Sequence, residues 1–504
     1  MTTSTYIGLR GYTILKECME EDEIKWLREK LTAKPYVPNS PIQQPSFKVY
    51  QETDKKIFIP RCFGIENYGE PEEYKIAQGL TLPIELKFNG ELRDYQKNIV
   101  STYINSSKNN RQVGLLEIPC GRGKTVIALN IISQLKTKTL VLVHKSFLLN
   151  QWVERIEQFL PGAKIGRIQG KIIDIEGKDI VIGMIQSLSM KEYPQNIFTC
   201  FGLTIVDECH HISSEVFSQT LQKVVTRCML GLSATMERKD GLSYVFKMFL
   251  GDIVYSEKRN NNDDIVLVKG IEYISKNDSE FDETKYDYRG NPMFSSMITK
   301  LCSYNHRTEF ILKIVEKELE IKKDQQIMIL GHNRNLLTYL HDAIEKRNIA
   351  SVGYYVGGMK EEELKKSETK KVIVATYSMA AEGLDIKTLS TLIFATPKTD
   401  VVQAVGRILR VKHERPLIID IIDTHDIFKK QWYKRKSFYL KNNYNVMYTN
   451  NEGYFTDKWK QSNDKNKNKN KTSLCNIINN DDEEDNCQYN PYKNFTFGKC
   501  MIQL

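Results

Sequence analysis

The sequence has no long apolar run and no closely spaced cysteine pair. No stretch approaches the ~18 apolar residues that span a bilayer, and the first residues, MTTSTYIGLRGY, lack the apolar region of a signal peptide. The 10 cysteines are scattered from Cys18 to Cys500 without a C-x-x-C pair, which is typical of reduced thiols and argues against a disulfide scaffold. These absences predict an intracellular protein without a membrane partner.

Size and composition indicate an ordinary multidomain globular chain. At 504 residues the chain is too long for one hydrophobic core and should contain two or three domains. Hydrophobic residues make up 41% and charged residues 27% of the sequence. The formal net charge of +9 is compatible with nucleic-acid binding and equally with a merely soluble surface, so composition leaves the partner open.

Short apolar segments alternate with helical patterns along most of the chain, which predicts α/β domains with parallel sheets. The candidate strands of a first unit are VGLLEIP, TLVLVH, DIVIGMI, LTIVDE and CMLGLSAT, and those of a second are QQIMILGHN, VGYYVGG, KVIVATYS, STLIFATP and RPLIIDII. The predicted organisation is an N-terminal accessory domain at 1–88, a first α/β domain at 89–258, a linker and second α/β domain at 259–445, and a low-complexity, disordered tail at 446–504. Two such units predict a ligand-binding cleft between them.

One helical pattern between the first strands predicts core packing. The segment FLLNQWVERIEQF places Leu148, Trp152 and Ile156 at helical spacing. A stripe of this kind is most simply explained as the buried face of an amphipathic helix.

The segment EIPCGRGKTVIALNII has the pattern of a phosphate-binding loop between a strand and a helix. Gly121 and Gly123 allow the backbone to approach phosphate, Lys124 supplies a positive charge, and Thr125 offers a hydroxyl to Mg²⁺. The full G-x₄-G-K-[ST] pattern requires glycine where this chain has Ile118, so a plain loop is the alternative. The flanking strand and helix patterns favour the phosphate site.

The segment TIVDECHHIS follows a predicted buried strand with acidic and metal-binding side chains. A zinc site is disfavoured because neither C-x₂-C with H-x₃₋₅-H nor a helical H-E-x-x-H occurs. A phosphate-binding loop requires an acid on a neighbouring strand to hold Mg²⁺ through water, and Asp207 fits this role. Glu208 can then orient and polarise the attacking water, while Cys209 and His210 face neighbouring structure.

Four segments in order resemble the motifs of superfamily 2 helicases. PCGRGKT, DECH, GLSATMERKDG and QAVGRILR resemble motifs I, II, III and VI. LRDYQ resembles the element that precedes motif I, and ATYSMAAEGLDI resembles motif V. The resemblance covers roughly residues 90–440. Together with the QW pair at 151–152, it is closer to XPB-like, phage UvsW-like and poxvirus transcript-release helicases than to DEAD-box RNA helicases.

The resemblance implies two tandem RecA-like P-loop domains that use ATP and Mg²⁺. The residues that it assigns to nucleotide binding are Gln96, Pro119, Cys120, Gly121, Arg122, Gly123, Lys124, Thr125, Gly383 and Asp385. Those assigned to catalysis are Lys124, Asp207, Glu208, Gln403, Arg407 and Arg410, with Thr125 and Asp207 at the metal. His210, Ser233 and Thr235 would couple the nucleotide site to the strand-binding face.

The implied activity is ATP-dependent helicase or translocase action on DNA through the phosphate backbone. Candidate contacts are at 144–146, 186–189, 331–335 and 375–378. An RNA helicase is the close alternative, because 2′-OH contacts cannot be identified from the motifs. A nucleotide-switched nucleic-acid clamp is a second alternative, and a restriction-nuclease motor is disfavoured because no separate nuclease constellation is apparent. Transcription and repair are both plausible pathways, and no oligomer is implied.

Two further segments leave alternatives open. Residues 428–444, FKKQWYKRKSFYLKNNY, mix cations with aromatic rings. They fit a nucleic-acid surface and, equally, an amphipathic helix docked on the second domain. Arg238 and Asp240 resemble part of the Arg-Glu-Asp element with which XPB-like proteins open duplexes, and a surface turn is the alternative.

Overall fold

Three main sheets and one two-stranded sheet organise the described part of the chain. The computed structural model describes residues 4–36, 45–106, 112–119, 121–211, 214–236, 241–257, 266–275, 278–381, 386, 388–408 and 416–461. Two of the predicted features, the element at Arg238 and Asp240 and most of the tail, lie outside these residues.

The N-terminal region forms a five-stranded sheet, in the order β5-β6-β2-β1-β7, with two helices. Its elements are β1 (Thr5–Gly8), β2 (Gly11–Leu15), α1 (Glu21–Lys30), β3 (Thr32–Ala33), β4 (Phe47–Lys48), β5 (Gln51–Glu52), β6 (Lys56–Ile59), α2 (Arg61–Tyr68) and β7 (Glu73–Tyr74). Ile7, Tyr12 and Ile14 join the same buried cluster as Leu115 and Phe246, so this sheet shares a core with the domain that follows.

The first large sheet has eight strands in the order β11-β10-β12-β9-β13-β14-β8-β15. Its elements are α3 (Asp94–Asn105), β8 (Val113–Glu117), α4 (Lys124–Leu135), β9 (Thr139–Val143), α5 (Ser146–Phe159), β10 (Ile165–Gln169), β11 (Ile172–Asp174), β12 (Ile180–Met184), α6 (Ile185–Met190), β13 (Leu203–Val206), α7 (Ser214–Leu221), β14 (Cys228–Ser233), α8 (Ser243–Leu250) and β15 (Ile253–Ser256). All its strand pairs are parallel except β10 with β11.

The second large sheet also has eight strands, in the order β18-β19-β17-β20-β21-β16-β22-β23. Its elements are β16 (Leu267–Tyr273), α9 (Ser279–Asp282), α10 (Phe294–Ser303), α11 (Asn305–Ile321), β17 (Gln326–Gly331), α12 (Arg334–Lys346), β18 (Val352–Tyr355), α13 (Glu361–Glu368), β19 (Val372–Thr376), α14 (Tyr377–Ala381), β20 (Leu389–Phe394), α15 (Val402–Ile408), β21 (Leu417–Asp423), α16 (Asp426–Lys441), β22 (Asn445–Asn450), α17 (Asn451–Phe455) and β23 (Lys460–Gln461). The pairs that join β18 through to β22 are all parallel.

Helices cover both faces of each large sheet, which explains the uninterrupted apolar runs of the central strands. Every residue of β9, β12, β13, β17, β20 and β21 is buried. Strands buried on both faces are typical of doubly covered parallel sheets. Because parallel strands end at the same edge, the loops after them collect polar side chains at one edge of each sheet. The predicted fold class, two tandem RecA-like α/β domains after an N-terminal domain, is confirmed.

Three strands of the second sheet, β16, β22 and the two-residue β23, are not among those predicted from the sequence. β16 contains Lys269 and Glu272, and its charged residues disguise a strand that pairs with both β21 and β22. β22 was wrongly assigned to the tail that was predicted to begin at 446. Val446 and Thr449 are buried, and the strand pairs with β16.

Candidate active site

The loop between β8 and α4 is built to hold phosphate. Gly121 and Gly123 adopt positive φ angles of 82° and 80°, a backbone conformation that L side chains rarely adopt. Helix α4 begins at Lys124, directly after Gly123. The first N–H groups of a helix and its dipole attract anions. The sequence therefore places a glycine-rich loop, a helix N-terminus and a lysine at one point, as predicted from GRGKT.

Gln96 holds this loop from the side of α3. Its amide Nε2 donates to the carbonyl oxygen of Arg122 over 3.1 Å, and its Oε1 accepts from the backbone N–H of Arg93 over 3.0 Å. A Cβ atom at Gly123 would lie 2.5 Å from the Gln96 Nε2 atom, so a side chain at this position would displace the Gln96 amide. Arg122 itself stacks on the Tyr95 ring, with 4.2 Å between its Cζ atom and the centroid. Gln96 thus holds the conformation of the loop, and its contact with the nucleotide stays a prediction.

Asp207 lies at the carboxyl end of β13, buried next to the phosphate loop. The indole Nε1 of Trp152 donates a hydrogen bond of 2.8 Å to its Oδ2 atom. Burial and the adjacent Glu208 carboxylate raise the pKa of Asp207 to about 6. A buried carboxylate whose charge is destabilised in this way fits a site that a divalent cation would neutralise. The helical spacing of Trp152 predicts core packing alone. In the structure, its indole also orients the Asp207 carboxylate.

Glu208 has an unusual backbone conformation and an ion pair with the phosphate-loop lysine. Its φ angle is +48°, which is uncommon for a residue with a side chain and typical of functional sites. Its Oε1 atom lies 2.9 Å from the Nζ atom of Lys124, and both side chains are largely buried. The turn thus aims the Glu208 carboxylate at the place where the loop would hold phosphate.

His210 connects three sequence motifs. Its Nδ1 atom lies 2.7 Å from Ser233 Oγ, at the end of β14, and 3.5 Å from Glu208 Oε2. Its Nε2 atom lies 3.0 Å from Nε2 of Gln403, on α15 of the second domain. Ser233 also accepts from the backbone N–H of Thr235 over 3.2 Å. Polar contacts of His210 thus connect Glu208 with Ser233 in the first domain and with Gln403 in the second.

Cys209 is a buried structural residue. Its side chain has no exposed surface, and burial raises the pKa of its thiol to about 12. A buried thiol of this kind behaves as a small apolar residue. Within the described ranges, no group of three or more His, Cys, Asp or Glu side chains is arranged to hold a metal ion.

Arg407 lies on the same side of α15 as Gln403, four residues further along. Its guanidinium is buried, and its Nε atom donates to the carbonyl oxygen of Ala380 over 3.1 Å. In this arrangement Arg407 is anchored inside the second domain. Four other predicted site residues, Cys120, Gly383, Asp385 and Arg410, lie outside the described part of the chain.

Polar loops at the carboxyl edges of both sheets lie where strand contacts were predicted. In the first domain, the amide Nε2 of Gln186 donates to the carbonyl oxygen of His144 over 2.7 Å, which joins the two candidate segments. In the second, His332 Nδ1 lies 2.8 Å from Thr396 Oγ1. Burial, with a smaller effect of Lys398, lowers the pKa of His332 to about 4, so this ring is neutral at physiological pH.

Comparison with known proteins agrees with this geometry. Residues 89–238 match the family described as type III restriction enzyme, res subunit, and residues 309–412 match the helicase conserved C-terminal domain. L396 of Acanthamoeba polyphaga mimivirus, whose provisional name is ATP-dependent RNA helicase, is 35% identical over 88% of this chain and 86% of its own length. The DNA 3′-5′ translocase XPB2 of Sulfurisphaera tokodaii is 26% identical over 74% of this chain and 91% of its own length.

A solved structure supports the fold. Dbp5 of S. cerevisiae, bound to RNA and ADP BeF3, has a TM-score of 0.51 and 12% identity, covering 72% of this chain and 91% of that one. At this identity the likeness concerns the fold alone.

The phosphate loop, the acid pair and the bridge from a second domain define a two-domain P-loop ATPase. Within that class, the extended similarity to L396 and the two matched domain families show that the chain belongs to the superfamily 2 helicases. It is an ATP-dependent helicase that binds nucleic acid. None of the helices in the described part of the chain has the length and apolar character needed to traverse a bilayer.

Proposed function

We propose that the chain couples ATP hydrolysis between its two RecA-like domains to movement along a DNA strand. The observation that carries the proposal is the contact between His210 and Gln403, because it joins the acid motif of one domain to the last motif of the other. Closure of the two domains thereby becomes dependent on the residues that surround the nucleotide phosphates.

The Lys124–Glu208 ion pair suggests how phosphate binding prepares hydrolysis. The Nζ atom of Lys124 lies 2.9 Å from the Glu208 carboxylate in this arrangement. When Lys124 turns to the phosphate oxygens, the Glu208 carboxylate is released to accept a proton from the attacking water. Gly121 and Gly123 present backbone N–H groups to the same phosphates.

Thr125 and Asp207 are the residues that would hold Mg²⁺. The Thr125 hydroxyl follows the phosphate loop at the start of α4, and the Asp207 carboxylate lies buried at the end of β13. A bound Mg²⁺ would supply charge neutralisation on the phosphate oxygens. The Trp152 indole keeps the Asp207 carboxylate oriented through its hydrogen bond.

Gln403, Arg407 and Arg410 are proposed to complete the site from the second domain. A cation delivered to the γ-phosphate only on closure is worth roughly 10³ to 10⁵ in rate in related phosphoryl-transfer enzymes. Gln403 already reaches His210, and Arg407 lies one helical turn away. Gly383 and Asp385 would lie near the ribose and the joint between the domains. Ser233 and Thr235 would pass the state of the nucleotide to the strand-binding loops.

DNA is proposed as the substrate because the XPB-like features extend across the motor. The similarity to a DNA translocase spans 91% of that protein's length. RNA is the second candidate, because the relative that is 35% identical carries the name of an RNA helicase. Roles in transcription or repair, which the resemblance of the motifs implies, are part of the proposal.

Stimulation of ATP hydrolysis tests the proposal directly. Steady-state ATPase rates of the full chain are measured with Mg²⁺ and saturating single-stranded DNA, duplex DNA or RNA of equal length and sequence. Stronger stimulation by DNA is the expected result. Stronger stimulation by RNA would show that RNA and not DNA is the substrate. If none of the three nucleic acids stimulates hydrolysis, the proposed coupling of hydrolysis to strand movement is wrong.

A further inference from the structure

Helix α16 is firmly docked through one face. Phe428, Trp432, Arg435 and Tyr439 are buried against the second sheet. The Arg435 guanidinium forms two bonds with the Asp420 carboxylate, at 2.7 Å from Nε and 2.8 Å from Nη2. The hydroxyl of Tyr439 donates to the same carboxylate over 2.9 Å. A buried, bidentate and fully hydrogen-bonded pair of this kind fixes the rotation of the helix on the sheet.

The opposite face of α16 is an exposed basic stripe. It consists of Lys430, Tyr433, Lys434, Ser437, Leu440 and Lys441, all of them exposed. Successive members are three residues apart or adjacent, so they follow one line along the helix surface. The Tyr433 ring is 57% exposed, although the rest of the helix offers four aromatic rings to the core. We refer to these six residues as the α16 stripe.

The charge on the α16 stripe is not balanced within the helix. Asp426, at the first position, is the one acid in the α16 sequence, against six lysines and arginines. The most buried cation, Arg435, is neutralised by Asp420, and Lys429 lies 3.3 Å from Glu272. Lys430 and Lys434 are four residues apart, a spacing at which like charges destabilise a helix. The stripe thus keeps a positive charge at a cost in stability, which points to an anionic partner.

The position of the α16 stripe links it to the strand-binding edge of the second sheet. Helix α16 begins three residues after β21 ends at Asp423. The Phe428 ring lies 6.0 Å from the Phe294 ring, which lies 6.3 Å from that of His332. His332 belongs to the segment 331–335, a proposed strand contact. The first turn of α16, which carries Phe428, therefore lies near this edge of the second sheet.

We infer that the α16 stripe binds the phosphate backbone of a nucleic-acid segment outside the cleft between the two domains. This inference rests on the proposed function, because it extends the path of the same substrate. Lys430, Lys434 and Lys441 provide the backbone contacts, and Tyr433 offers a ring for stacking when the segment is single-stranded. Both alternatives for residues 428–444 thus apply, on opposite faces of one helix.

The test removes the three exposed lysines and measures the salt dependence of binding. A K430A/K434A/K441A variant is compared with a K313A/K323A/K346A variant, whose exposed lysines lie on or next to α11 and α12 in the opposite layer of the same sheet. The charge change is identical, and alanine is well tolerated in helices. Binding of labelled oligo-dT, oligo-U and duplex DNA is followed by fluorescence anisotropy over a range of salt concentrations, and thermal unfolding checks that both variants fold.

In the K430A/K434A/K441A variant, the magnitude of the slope of log K against log salt should fall by about 2 for a single strand. The corresponding weakening is roughly 10² at 0.1 M salt, whereas the matched variant keeps the slope of the natural chain. The probe with the larger loss identifies whether single strand or duplex lies on the stripe. Equal slopes for the natural chain and both variants would overturn the inference and leave the stripe to an acidic protein partner. Absence of binding in the natural chain would overturn the proposed function as well.

Discussion

The Nε2 atoms of His210 and Gln403 lie 3.0 Å apart, although the two residues are 193 positions apart in the chain. His210 follows the acid pair at the end of β13, and Gln403 lies on α15 of the second domain. Since His210 also contacts Ser233, one imidazole touches motifs that resemble the acid, coupling and closing elements of a helicase. These contacts join the two RecA-like domains through side chains alone.

Removing either end of this contact should weaken coupling. A hydrogen bond of this kind is worth about 0.5 to 1.5 kcal/mol, so H210A and Q403A should each lower nucleic-acid-stimulated ATPase activity by roughly 2- to 10-fold. The affinity for ATP should change little, because neither residue belongs to the phosphate loop. The double variant should be no worse than the poorer single variant. Additive losses would show that the contact does not transmit closure.

Replacement of Glu208 separates binding from turnover. E208Q keeps the size of the side chain and removes its capacity to accept a proton. Equilibrium binding of ATP should persist, while multiple-turnover hydrolysis should fall by at least about 10². The amide also loses the charge that pairs with Lys124 at 2.9 Å, so ATP affinity should stay equal or rise. Retained steady-state hydrolysis would remove Glu208 from its proposed role.

The hydrogen bond from Trp152 to Asp207 should control the acid side of the pH profile. This bond stabilises the ionised carboxylate and so lowers the pKa of Asp207, which burial and Glu208 raise to about 6. In W152F the pKa should rise further, and the acid limb of ATPase activity should move to higher pH with a higher Mg²⁺ requirement. W432F, which changes a buried tryptophan of the second domain, is the control for general loss of packing. An unmoved acid limb would contradict this role.

Much of the site could be predicted because chemistry restricts the residue types at strand ends. Gly121, Gly123 and Lys124 stand out where a strand meets a helix, and Asp207 and Glu208 stand out after an apolar run. Phosphate, metal and water each admit few side chains at such points. Local sequence thus predicted the phosphate loop and the acid pair. The alternation of apolar runs predicted the central strands of the two large sheets.

Contacts between distant segments had no such local signal. Trp152 fits a helical core stripe, and only the structure shows its indole at Asp207. Arg435 stands among lysines in a basic stretch, yet it is buried against Asp420 and divides α16 into two faces. β22 is rich in asparagine, and its parallel pairing with β16 depends on a strand 178 residues earlier. In each case the deciding partner is supplied by tertiary packing.

Protonation of His332 should destabilise the second domain. Burial, and to a smaller extent Lys398, lower its pKa to about 4, from 6.5 for an unperturbed histidine. The unfolded chain therefore binds a proton more readily, and the contribution of His332 to stability is present above pH 6.5 and is lost as pH falls towards 4. In H332Q the thermal unfolding midpoint should therefore decline less steeply across this pH window. The corresponding difference in unfolding free energy is at most about 3 kcal/mol. Parallel pH profiles would contradict the prediction.

Two polar contacts join α5 of the first domain to α13 of the second and should favour closure. Asn150 Nδ2 lies 2.7 Å from Glu361 Oε2, and Lys365 Nζ lies 3.0 Å from Glu154 Oε1. Both ionic side chains are more than half exposed, at 60% and 56%, so their pair is weak and is screened by salt. K365E should place like charges across the joint and raise the KM for ATP by up to about 5-fold at low salt.

The reciprocal exchange E154K/K365E should restore the KM, because it rebuilds the pair with its charges reversed. K366E provides the matched control, since it makes the same charge change at the next exposed position of α13. High salt should reduce the difference between K365E and the natural chain, because exposed charges are screened over about 10 Å at 0.1 M salt. If K365E and K366E behave alike, or if the exchange fails to restore the KM, net charge on α13 and not the pair with Glu154 governs closure.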